Sequence, residues 1–279
     1  MTISLIQTSQ NRRKELYRFV NSLNQQIDID FKEIQLIFVD QENNSDMFDE
    51  LNTNIQFDYI QTSHCSLSHA RNIALSFVKG KYVAFPDDDC WYDRDTLKKI
   101  LDCLKNYKDG IAIPAQNEDN IFINKFGKKA AYLTKYLQYG VLSISIYVKY
   151  FEDIKFDENL GVGSPYGLDS GEETDYITRL ISEKHLKIRY LPNIVIRHPS
   201  ELIAPITDAT IKKTYRYGKG YGYILKKNQY SKFYYWYKLL RPFLGCLFYK
   251  IIKKNKMSRK SFSRFSGIKD GYRFKIKEQ

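Results

Sequence analysis

Short apolar runs alternate with stretches of helical spacing over the first two thirds of the chain. Ile3 to Thr8 is the first run, and after it Leu16, Phe19, Val20 and Leu23 stand at i, i+3, i+4 and i+7 on one helical face. Ile34 to Val39 is nearly unbroken apolar sequence closing on Asp40, as a central parallel strand buried on both faces requires. Ile55 to Ile60 predicts a third strand. Ala70, Ile73, Ala74 and Phe77 predict a helix that stops at Gly80, in the place of a C-terminal glycine. Tyr82 to Phe85 is a fourth strand, and Leu97, Ile100, Leu101 and Leu104 mark the next helix face. From Ile111 to Gly140 the pattern loosens into a long excursion; Val141 to Val148 and Leu186 to Ile196 return to strand character. Strand alternating with helix implies an α/β fold, a doubly wound and mostly parallel sheet flanked by helices, with ligands at the carboxyl ends of the strands. Asp40 and the triplet Asp87, Asp88 and Asp89 both fall at such ends.

Three adjacent carboxylates repel one another and raise each other's pKa unless something positive sits among them. A hard divalent cation suits them, since Mg²⁺ and Mn²⁺ take oxygen ligands and commonly share one or two carboxylates with substrate phosphates. The structural alternative is a solvated turn, with Asp93 or Asp95 capping the helix that begins near Thr96. No G-x-G-x-x-G follows the first strand and no G-x-x-x-x-G-K-[ST] occurs, which disfavours a Rossmann dinucleotide site and a P-loop.

Further along, Phe156 to Leu180 is glycine-rich and then acidic at Glu172, Glu173 and Asp175 as a helix begins. Glycines let backbone approach a ligand, and acids at a helix N-terminus are favoured by its dipole. Ser170 to Glu173 also fits the S-x-x-E capping box, in which Glu173 would bond back to the Ser170 backbone. His198 closes the last strand and gains interest only if the fold places it beside the aspartates.

The chain has 279 residues, 43% of them hydrophobic and 27% charged, an ordinary globular composition with ample length for a core. Cys65, Cys90, Cys103 and Cys246 form no C-x-x-C pair, so neither a zinc site nor a disulfide framework is written, and a reducing cytosol is expected. The first residues read as a strand, not as a signal peptide. The net charge of +12 is unevenly spread: residues 211–279 hold 20 Lys/Arg against 2 acids, leaving residues 1–210 net acidic. The tail is therefore the part that meets an anionic partner.

Seven segments in order give the chain a family. ISLIQTSQNR, FVD ending at Asp40, LSHARNIAL, YVAFPDDD, GVG followed by SGEETDYITRL, LPNIVIRHP and YGKGYGY together resemble the family-2 glycosyltransferases of the GT-A fold over roughly residues 2–228. The resemblance implies a catalytic domain over 1–213, with a nucleotide-sugar half at about 1–114 and an acceptor half at about 115–213. It implies an enzyme that moves a sugar with inversion from a nucleotide sugar, a UDP-sugar in the first instance. The expected acceptor is a lipid-linked oligosaccharide of bacterial capsule, O-antigen or other surface-polysaccharide synthesis, and the expected cofactor is Mn²⁺ or Mg²⁺. By resemblance, Asp40 contacts the nucleotide base with Thr8 nearby, Arg71 lies near the nucleotide, and Asp87 and Asp89 form the D-x-D motif with Asp88 between them. Asp89 binds the metal and His198 completes its site. Glu173 aligns with the catalytic base; the family's usual aspartate there is glutamate, so Glu172 and Asp175 stay in contention. A sugar-1-phosphate nucleotidyltransferase is the rival within the enzymes, but it would carry a glycine-rich loop where TSQNRR stands. A non-catalytic scaffold using the basic tail is the rival from outside them.

Residues 214–279 form that tail. Trp236, Leu240, Phe243, Leu247 and Ile251 share one helical arc with lysines and arginines beside it, and Pro242 is expected to kink the helix or start a second one. The longest uncharged apolar run falls far short of the roughly 20 residues a spanning helix needs. The pattern predicts a helix on an anionic membrane surface, on the cytoplasmic inner face, over packing against the body or binding to nucleic acid; no nucleic-acid partner is expected.

Overall fold

The computed structural model describes residues 1–10, 12–138, 140–199 and 205–276. The chain forms two compact units, one of residues 1–65, 69–155 and 177–202, the other of 66–68, 156–176 and 203–279. In chain order the elements are β1 (Ile3–Ser9), α1 (Arg13–Asn24), β2 (Ile34–Asp40), β3 (Gln56–Gln61), α2 (Leu67–Leu75), β4 (Tyr82–Ala84), α3 (Thr96–Asn106), β5 (Gly110–Ala112), β6 (Ala115–Gln116), β7 (Ala131–Tyr132), β8 (Ile146–Lys149), α4 (Glu172–Glu183), β9 (Arg189–Tyr190), β10 (Ile196–Arg197), α5 (Asp208–Lys227), α6 (Lys232–Ile251) and α7 (Asn255–Arg273).

The first unit is built on an eight-stranded sheet of order β3-β2-β1-β4-β8-β5-β9-β7. β3, β2, β1 and β4 run parallel, with Ser9 in register with Asp40, so the first two strands end side by side. β8 runs antiparallel to both β4 and β5, and β7 runs antiparallel to β9. The apolar pattern is honoured most fully in β2, where every residue is buried, and Leu16, Phe19 and Leu23 of α1 pack into the same core.

Four local expectations are corrected. α2 ends at Leu75, and Gly80 serves close packing instead: a Cβ there would stand 2.6 Å from the Ser4 amide nitrogen. Val141 to Val148 begins with a 3₁₀ turn at Ser143–Ser145 and becomes strand only at Ile146. Leu186 to Ile196 divides into β9 and β10 around Pro192, which has no N–H to give a ladder. The loosely patterned excursion carries β6, which pairs in parallel with β10 and so holds the approach to His198.

The second unit is helical. α5 begins on a reciprocal cap between Thr207 and Thr210 and packs closely on α7 at Gly218 and Gly222 of its own and Gly267 and Gly271 of α7. A Cβ at Gly222 would stand 2.1 Å from the Ile268 carbonyl oxygen, and one at Gly271 would stand 1.9 Å from that of Lys219, so only glycine permits this backbone approach. That accounts for Gly218 and Gly222 of YGKGYGY, while at Gly220 a Cβ would stand 2.2 Å from the Ser170 carbonyl oxygen. α6 continues as one helix through Pro242, so no second helix starts there. Tyr235 and Leu239 bury one side of α6, whereas Phe233, Trp236, Leu240, Leu244, Leu247 and Ile251 are exposed on the other. Among the described residues, no helix is long and apolar enough to cross a membrane.

Candidate active site

In the first unit the carboxyl ends of β1, β2 and β4 carry Thr8, Asp40 and the aspartate triplet on one edge of the sheet. β10 joins them there, because Trp91 and Arg197 exchange backbone hydrogen bonds of 3.0 Å in each direction and Arg197 reaches Asp93 at 2.9 Å. This bridge brings the next residue, His198, to the aspartates.

The result is a cluster in which one ligand atom each from Asp87, Asp89 and His198 lies within 4.8 Å of the others. His198 is oriented by Nδ1, which donates to the Pro199 carbonyl at 2.6 Å, so Nε2 is the nitrogen aimed at Asp89 Oδ1, 3.1 Å away. Ligating histidines are commonly held by such a bond from the other ring nitrogen. Asp89 Oδ1 is buried and accepts no hydrogen bond of good geometry among the described residues. A carboxylate oxygen opposite an imidazole nitrogen lone pair sets two acceptors face to face, a conflict that a proton or a cation resolves. Oxygen and imidazole donors at this spacing fit a divalent cation.

Fixed cations surround the cluster. Arg71 is buried and donates to Asp87 Oδ1 at 3.0 Å; Arg12 pairs with Asp89 Oδ2 and, at 3.3 Å, with Asp88 Oδ1; Ser9 donates to Asp88 Oδ2 at 2.8 Å. Burial pushes Asp88 up to about 6, against the pull of Ser9 and Arg12. Burial also raises Asp87, more than Arg71 lowers it. Asp89 ends below its ordinary value, because His198 and Arg12 outweigh its burial, and His198 ends above its own because Asp89 outweighs the burial of the ring. Arg12 escaped the sequence reading. Its only signal was a pair of arginines directly after a strand whose neighbour ends in three acids.

Asp40 stands apart from this. It is fully buried and accepts hydrogen bonds from the Tyr59 hydroxyl at 2.7 Å, the Asn44 amide at 2.5 Å, the Asn44 side chain at 2.8 Å and the Glu42 amide at 2.9 Å. Its carboxylate organises the loop after β2. Burial alone would raise its pKa, but these donors hold it below the ordinary carboxylate value. Thr8 is half-buried at the end of β1.

The three acids of α4 lie in the second unit and differ sharply. Asp175 is fully buried and bonded to Lys227 Nζ at 3.0 Å and Asn228 Nδ2 at 2.8 Å; Glu172 is buried; Glu173 is half-buried. The expected capping box does not form, because the helix begins at Glu172. Ser170 falls outside it, donating to the Tyr217 carbonyl at 2.8 Å.

A mostly parallel α/β sheet with paired carboxylates and a histidine on its carboxyl edge is the architecture of GT-A glycosyltransferases. Residues 4–161 match the sequence model described as "Glycosyl transferase family 2", more than half of the chain, and the chain belongs to that family. Glycosyltransferase GlyA of Streptococcus pneumoniae is 28% identical over 102 residues, a stretch covering 37% of this chain and 13% of that protein. S. aureus TarS shares the fold: its structure as residues 1–349 with UDP-GlcNAc has a TM-score of 0.62 at 16% identity, covering 98% of this chain and 92% of that one. Against the longer TarS structure the chain spans 55% of the relative's length. The mannosyltransferase PcManGT of Pyrobaculum calidifontis, solved with GDP-Man and Mn²⁺, has a TM-score of 0.60 at 14% identity, covering 96% of this chain and 86% of that one.

Proposed function

We propose that the chain transfers a sugar from a nucleotide-sugar donor to an acceptor hydroxyl, with inversion and with dependence on a divalent cation. The observation that carries this reading is the Asp87, Asp89 and His198 cluster, in which a buried carboxylate oxygen accepts no well-formed hydrogen bond. Asp89, Asp87 and His198 are the residues to hold Mn²⁺ or Mg²⁺. A cation bound there supplies electrostatic stabilisation of the departing diphosphate. Arg71 fixes Asp87 from within the core, and Arg12 shares the charge of Asp88 and Asp89. Thr8 and the loop organised by Asp40 shape the nucleotide end, Asp40 acting through that loop.

Inversion requires one carboxylate to take the acceptor's proton as its oxygen attacks the anomeric carbon. Glu173 has that role. Asp175 is committed to Lys227 and Asn228, and Glu172 is the more deeply buried of the two glutamates. UDP leads as the donor's nucleotide because of the UDP-GlcNAc complex of TarS, and GDP follows from the GDP-Man complex of PcManGT.

The acceptor we propose is a lipid-linked oligosaccharide of bacterial surface-polysaccharide synthesis, met by an enzyme peripheral on the inner face of the membrane. The exposed side of α6 supports this. Trp236, Leu240, Leu247 and Ile251 share it, and lysines 232 and 250 flank it, the composition of an interfacial helix on anionic lipid.

Thermal stability against UDP, GDP, dTDP and CMP, each with Mn²⁺ and with chelator, tests the donor site. A ligand at 100 times its Kd stabilises by about 2.7 kcal/mol. One nucleotide is expected to stabilise the wild type with metal only and to leave Asp89→Asn unmoved. A metal-independent shift, or none with any nucleotide, overturns the donor site.

A further inference from the structure

The second unit contains an open cleft of about 780 Å³ formed by α5, α6 and α7. Four of the residues that line it are cationic, Lys238, Arg241, Lys260 and Arg264, and none is acidic. Like charges converging on one space repel, and an arrangement of this kind is stabilised when an anion enters it.

Arg264 is the telling member. Among the described residues no carboxylate pairs with it; its partner is the ring of Tyr221, 5.5 Å from the guanidinium carbon. The nearby acids are engaged elsewhere, Asp208 with Arg259 and Asp270 with the Tyr215 hydroxyl. Burial pulls Arg264 below its ordinary value with no carboxylate to offset it. A half-buried guanidinium keeps a planar fork of donors that a phosphate matches in geometry. Pro242, Tyr249, Met257 and Ile268 give the same cleft apolar wall.

We propose that this cleft binds a phosphate group, through Arg264 and Arg241 with Lys238 and Lys260 around them. Two sources supply that chemistry, a free phosphate and the headgroup of an anionic phospholipid, and the apolar wall accommodates the chain attached to the second. The site stands on residues outside the donor cluster and does not depend on the transferase reading.

The test uses the full chain. Inorganic phosphate, and separately a short-chain phosphatidylglycerol below its micellar concentration, are titrated against the melting temperature at constant ionic strength. The variants are the pair Arg241→Gln and Lys260→Gln, chosen because Arg264→Gln risks the fold, and the charge-matched pair Lys212→Gln and Lys256→Gln, exposed residues outside the cleft. Saturable stabilisation of the wild type is expected, weakened at least tenfold in the first pair and unchanged in the second. A tenfold preference for the lipid identifies a headgroup site, and equal affinity identifies a free-phosphate site. Absence of saturation in the wild type, or equal weakening in both pairs, overturns the proposal. The shift by nucleotide and metal, read on the same samples, tests the donor site separately.

Discussion

Two strands of one sheet lead to aspartates, β2 closing on Asp40 and β4 running on through Phe85 and Pro86 to the triplet, and the two ends differ. At the end of β2, Asp40 is enclosed by four hydrogen bonds from Tyr59, Asn44 and Glu42. In the loop after β4, Asp89 has one oxygen paired with Arg12 and the other buried opposite a histidine nitrogen, with no well-formed hydrogen bond. A polar group whose partners are complete contributes to the fold. One left incomplete in a buried place carries a cost, which at Asp89 either a proton on His198 or a bound cation relieves. The residue type and the carboxyl edge of the sheet are shared, so the partner set separates the two.

α4 repeats the contrast and gives the largest expected effect. Glu173→Gln is expected to lower transfer by up to about 10⁴-fold, the upper range for loss of a general base, with the melting temperature and the nucleotide shift preserved. Asp175→Asn is expected to behave in the opposite way. It removes one of the two carboxylates on Lys227, which keeps Asp157 at 2.7 Å, and costs stability of about 1–2 kcal/mol, the loss of a hydrogen bond to a charged group. Steady-state rates beside denaturant unfolding read both, and a normal rate in Glu173→Gln moves the base to Glu172. Asp89→Asn follows, with transfer down about 10³-fold for loss of a cation ligand and stability unchanged or improved, since one of three clustered carboxylates is neutralised. A large fall in stability there makes Asp89 the structural equal of Asp40 and removes the distinction.

How far these differences were legible is a question of which interactions local sequence encodes. The parallel core was readable because β2 is buried on both faces and shows it as an apolar run. The D-x-D and the histidine were readable as a family pattern. Their meeting was implied by that pattern alone and had no local sign, because it depends on the backbone bridge between Trp91 and Arg197, residues distant in sequence. Gly80 looked like a helix cap because its reason, the backbone of Ser4, lies 76 residues away. Arg12 gave only the arginine pair after β1, since an ion pair across strands leaves little local signal. The glycines of α5 were visible, but their partners on α7 were not, since a close crossing is a property of two helices.

Asp40→Ala tests the other half of the comparison. It leaves the Tyr59 hydroxyl, the Glu42 and Asn44 amides and the Asn44 side chain short of an acceptor, and is expected to cost about 3 kcal/mol of stability. The loop relaxes and admits water, so the figure is less than four separate penalties. Urea unfolding measures it, and a loss of nucleotide binding without loss of stability returns Asp40 to direct contact with the base.

The smallest effect is in acid. Asp40 has a folded-state pKa below its unfolded value near 3.9, so the folded protein binds fewer protons there than the unfolded chain. Its contribution is fully present above about pH 4 and is lost as pH falls through the folded value. The wild type is therefore expected to lose stability below about pH 4 more steeply than Asp40→Asn, with the two curves parallel at neutral pH. Asp40→Asn keeps one oxygen acceptor and most of the shape of the loop, so the difference in slope isolates ionisation from packing. Equal slopes in the two proteins place the acid sensitivity on other carboxylates and reduce Asp40 to a neutral hydrogen-bond hub.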